Sequence, residues 1–151
     1  MHRYTKKDIP PLDWDAHVRN NLEMYFDVSE VTVFHVALAL KYPASILGAR
    51  LFENVEIDGW NYFCSNEDWI FNSSVLIQSE LEVFTEIQSF PEDAKLNSFR
   101  TESLCLPVVR DAFTYNVGSL VLLKGKLPSE ADLKKHRAAV GNWGRVVGYR
   151  M

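Results

Sequence analysis

Long apolar runs are missing from this sequence, and so are cysteine clusters, glycine-rich loops and, across its middle, any basic residue. No window of about 18 uninterrupted apolar residues exists, which removes a membrane-spanning helix. The longest apolar stretch, Val31 to Leu40, is broken by Thr32 and His35. Behind His2, Arg3, Lys6 and Lys7 no apolar segment follows, so a secretory signal is not expected and a cytoplasmic setting is. Two cysteines, Cys64 and Cys105, are too few for a disulfide framework, and their apolar flanks point to buried, reduced thiols. The glycines at 141, 144 and 148 follow a helical pattern instead of opening one, which argues against a phosphate-binding loop. The four histidines stand alone at positions 2, 17, 35 and 136, so neither a metal nor a cofactor is expected. Glu67 and Asp68 lack the oxygen-rich, glycine-bearing loop of a calcium site.

What is present is an ordinary globular composition. Apolar residues make up 47% and charged residues 24% of the 151, which excludes disordered and collagen-like classes and suits one domain over 1–151. Residues 1–11 end in Pro10-Pro11 and read as an extended arm.

The pattern then predicts a helix from Leu12 to Phe26, capped by Asp13, with Trp14, Val18, Leu22 and Phe26 on one stripe. Val28 to Leu40 reads either way: Ser29 could cap a helix, but the β-branched residues favour a strand, which is the expectation here. Pro43 is expected to end it. Asp58-Gly59 between Leu51–Ile57 and Trp60–Cys64 is a hairpin signal. The alternation from Val75 to Gln88 predicts a long strand with one acidic face. Pro91 to Phe99 suggests a short helix, and Leu104–Val109, Ala112–Tyr115 and Ser119–Lys126 suggest strands. A second helix runs from Ser129 to about Val140, stopped by Gly141, before a last strand over Arg145 to Arg150. The implied class is α+β, a mainly antiparallel sheet with an N-terminal and a C-terminal helix packed on one side.

Charge is segregated. From Glu53 to Asp93 there are ten carboxylates and no lysine or arginine, whereas the whole chain carries only −4. Seven bases between Lys124 and Arg150, against Glu130 and Asp132, supply most of the compensation. Clustered carboxylates steer a basic partner, and Trp and Tyr anchor it. The expected docking residues are therefore Glu67, Asp68, Trp69, Glu80, Glu82, Glu86, Trp60 and Tyr62. The expected function is a small acidic protein-binding module, an inhibitor or immunity protein that blocks a basic, nuclease-like partner. Size and charge are similar to those of bacterial immunity proteins, an analogy of class that no motif carries. The rivals are a ligand-binding or enzymatic domain lined by Trp60, Tyr62 and Trp69, and a self-assembling component. Nucleic acid is not expected as a partner, because the basic patch of Lys134, Lys135 and Arg137 sits in an acidic chain. Asp13 with His17, or a cysteine with His17, His35 or His136, could form catalytic pairs, but no local signature supports them.

Overall fold

A computed structural model describes residues 13–95 and 98–151; the arm expected over 1–11 lies outside them. Its five strands are β1 (Phe52–Ile57), β2 (Trp60–Ser65), β3 (Asp111–Tyr115), β4 (Leu120–Lys124) and β5 (Arg145–Arg150). They form one sheet in the order β1-β2-β5-β3-β4, every pair antiparallel. The helices are α1 (Trp14–Arg19), α2 (Leu22–Phe26), α3 (Val33–Ile46), α4 (Glu80–Thr85) and α5 (Glu130–Val140). The α+β class with an antiparallel sheet follows directly.

The β1–β2 hairpin turns at Asp58-Gly59, whose φ angles of 52° and 81° are those a two-residue turn of this hand needs. Strand alternation then builds two cores. On one face Phe63, Ala112, Val147 and Tyr149 pack with Val36, Leu40 and Ala44 of α3 and Val83 and Phe84 of α4. On the other, Trp60, Tyr62, Cys64, Phe113, Tyr115 and Val146 pack with Leu133 and Val140 of α5. The last strand occupies the middle of the sheet. It must carry glycine at 148, where a Cβ would lie 2.6 Å from the Phe113 ring and 2.9 Å from that of Tyr62.

The predicted N-terminal helix is two short ones. Asp13 caps α1 through the Ala16 amide, but the Asn21 side chain donates to the His17 carbonyl at 2.8 Å and the chain breaks there. Phe26 of α2 packs against the first core while α5 covers the second, so the two terminal helices do not share one side.

Val28 to Leu40 is not a strand. Thr32 begins α3, and its backbone N–H donates to His35 Nδ1 at 3.0 Å, a reciprocal cap in which histidine takes the place usual for glutamate. The helix runs on past Pro43. Proline has no N–H to give the Ala39 carbonyl, and the Thr101 hydroxyl fills that carbonyl at 2.7 Å.

Nor is Val75 to Gln88 a strand. Ser79 accepts from the Glu82 amide and Glu82 from the Gln78 amide, closing the N-terminus of α4. Leu104 to Val109 likewise forms two tight helical turns, Thr101–Leu104 and Leu106–Val108. Ser129 caps α5 through the Asp132 amide, as expected, and Gly141 ends it with φ of 84°.

Candidate functional site

The three rings expected to meet a partner are interior. Trp60 and Tyr62 point from β2 into the second core. Trp69 is fully buried in the first, and its indole N–H donates to Glu102 at 3.0 Å. Glu102 in turn is wholly buried against Arg100, which also donates to the Ile70 carbonyl. This cluster satisfies its own charges and presents nothing to solvent. The expected arrangement of exposed anchoring rings is therefore corrected: Trp60 and Tyr62 stand on a strand with both faces covered, and Trp69, in the loop after it, is buried in the first core.

Most of the ten carboxylates between Glu53 and Asp93 bond within the chain, Asp58 among them. Asp68 takes two hydrogen bonds from Arg145, at 2.9 and 2.8 Å, and Glu80 lies 3.5 Å from the same guanidinium. Arg145 is completely buried on the central strand, so these two acids neutralise it. Glu92 and Asp93 tie loops together, Glu92 through Ser73 and Ser74, Asp93 through Tyr42 and Ser98. Glu82 is a helix cap.

Glu53, Glu56, Glu67 and Glu86 remain exposed and form no ion pair with a described residue. Of these, Glu86 stands in the richest surroundings. Around α4 three large apolar side chains face water: Leu76 (78% exposed), Leu81 (42%) and Ile87 (55%). Gln78, Ser79, Leu81, Glu82, Thr85 and Glu86 line a shallow depression on this segment. What the alternating pattern suggested as an acidic strand face is thus a mixed acidic and apolar helix surface.

The basic patch is dispersed in the same way. Lys135 pairs with Asp58 at 3.0 Å, Arg137 lies over the Tyr115 ring at 4.4 Å, and Arg150 pairs with Asp111 at 2.8 Å. The supposed catalytic pairs also dissolve. Asp13 is a cap, His17 bonds the Tyr25 hydroxyl at 2.9 Å, and burial pushes the Cys64 thiol up to about 12 and that of Cys105 well above its ordinary value.

One constellation escaped the sequence reading. The hairpin turn carries Asp58 to the side of α5, where His136 Nε2 meets its carboxylate at 3.0 Å. The other ring nitrogen, Nδ1, is hydrogen-bonded to Tyr62 Oη at 2.6 Å. Asp132 stands one turn earlier on α5, and one ligand atom from each of Asp58, Asp132 and His136 lies within 4.8 Å of the others. The spacing of Asp132 and His136, four apart on a helix, was a legible half of this set. Asp58, more than seventy residues away, was not.

No protein-family model matches the chain, and no curated protein or solved structure matches it significantly. Among the described residues no helix is long and apolar enough to cross a membrane.

Proposed function

We propose that the chain is a small cytoplasmic binding module of one domain that captures a basic protein and blocks it, using the surface of α4 as its docking face. One observation supports this above the rest. Leu76, Leu81 and Ile87 are exposed beside Glu82 and Glu86, within a stretch that has no lysine or arginine from Glu53 to Asp93. Exposed aliphatic groups supply burial energy on association, and unneutralised carboxylates orient a cationic partner as it approaches.

Of the eight residues expected to bind, Glu82 and Glu86 sit on this face, and Glu67 is exposed elsewhere on the acidic stretch. Asp68 and Glu80 shape it from below through Arg145. Trp69 belongs to the core that α4 packs on, whereas Trp60 and Tyr62 belong to the second core, on the opposite face of the sheet.

The test is affinity capture at low salt from the cells that make the protein, with the wild-type chain and a Leu81→Ser, Ile87→Ser variant as parallel baits. A basic protein retained by the first bait, released by salt and absent from the second is the expected result. Identical retention on both baits overturns the assignment of this face.

A further inference from the structure

We propose that Asp58, Asp132 and His136 form a site for a single divalent transition-metal ion, zinc being the type case, where the β1–β2 turn meets α5. One imidazole and two carboxylates are a mixed nitrogen and oxygen donor set; zinc accepts both ligand types, and three protein ligands leave a fourth position open. Asp132 and His136 lie one turn apart on the same face of α5. Asp58 comes to them from outside the helix, from a turn whose left-handed backbone fixes where its side chain projects. The three ligand atoms already lie within 4.8 Å of one another.

The histidine supplies an observation independent of the carboxylates. His136 is completely buried, and its ring is held from behind by Tyr62, edge-on at 5.6 Å and hydrogen-bonded at Nδ1. An outer partner on one ring nitrogen is what orients a metal-ligating imidazole and leaves the other nitrogen for the ion. Here the other nitrogen, Nε2, meets the Asp58 carboxylate at 3.0 Å. The competitor for the position is Lys135, whose Nζ is 3.0 Å from the same Asp58 oxygen. The Lys135 side chain is 64% exposed and can swing into water when an ion arrives. An ion bound here would tie the hairpin turn to α5 and close the second core.

The experiment titrates the full, chelator-treated chain with zinc chloride by calorimetry and follows its melting temperature. Cobalt(II) serves as a coloured substitute whose visible absorption reports the ligand field. The expected result is one ion per chain, a melting temperature several degrees higher at saturation, and cobalt bands that appear on binding. Asp132→Ala, at an exposed position, should leave the metal-free melting temperature nearly unchanged while weakening zinc at least about tenfold. Lys135→Ala should tighten binding by removing the competing cation, and Glu130→Ala on the same helix should change nothing. Absence of saturable binding overturns the proposal, as does an Asp132→Ala variant that binds zinc as the wild type does.

Discussion

Among the described residues Arg100 and Arg145 are the two largest charged side chains that are completely buried, and both are partnered. A buried ion pair contributes little relative to an apolar replacement, but removing one member leaves an uncompensated charge in a medium of low dielectric constant. Glu102→Ala strands Arg100 and also takes the acceptor from the Trp69 indole. It should cost about 3–5 kcal/mol in urea unfolding, and a loss below about 1 kcal/mol would show that the pair is solvated. Asp111 makes the corresponding statement about pH. Burial alone would raise its carboxyl, but the Lys126 amide at 2.8 Å and the Arg150 guanidinium at 2.8 and 3.0 Å outweigh it and hold it below the ordinary value. A depressed folded value stabilises the native state above the unfolded value of about 3.9, and that contribution disappears as the pH falls through the folded value. Asp111→Asn should therefore lower stability at pH 6 and flatten its decline toward pH 3, as read from thermal unfolding across that range. Parallel curves for the two proteins would contradict the assignment.

At the level of elements, the junction of α3 with Thr101 yields a coupling that can be measured. Thr101→Val leaves the Ala39 carbonyl without a donor beneath Pro43 and should cost about 1–3 kcal/mol. In a Pro43→Ala background the new backbone N–H of residue 43 can reach that carbonyl, so the same change should cost markedly less. Additive effects in the double-mutant cycle would rule the compensation out. The elements also show which signals a sequence carries. Asp58-Gly59, Asp13, Ser129 and Gly141 act within a few residues, and each does in the structure what its chemistry implies. The strand expected over Val75 to Gln88 failed because a period of two is compatible with a helix one and a half turns long between extended segments. The Ser79 to Glu82 capping pair was the local signal that should have decided it. In α3, β-branched Val31, Thr32 and Val33 cluster at the start, where the Thr32 and His35 cap outweighs their preference for strands. Nothing local announced that Arg145 would meet Asp68, or that His136 would meet Asp58. Those contacts exist only because β5 enters the centre of the sheet and α5 crosses its outer face.

Across the whole molecule, the segregation of charge along the chain is only partly a segregation in space. The cationic tail returns through the middle of the sheet, where Arg145 and Arg150 of β5 neutralise Asp68, Glu80 and Asp111, while Lys135 of α5 pairs with Asp58 at the surface. The acids it does not reach include Glu82 in α4 and Glu86 just after it, in the segment that also exposes Leu81 and Ile87. A docking face defined by that residue set is the central claim, and charge reversal addresses it most directly. The measurement is the affinity of the captured partner for the wild-type chain, for Glu86→Lys on the α4 face and for Glu130→Lys on α5, at low and at high salt. The expected result is a loss of at least about tenfold for Glu86→Lys at low salt, shrinking as screening grows, with Glu130→Lys unchanged. Equal affinities for all three proteins would contradict the account.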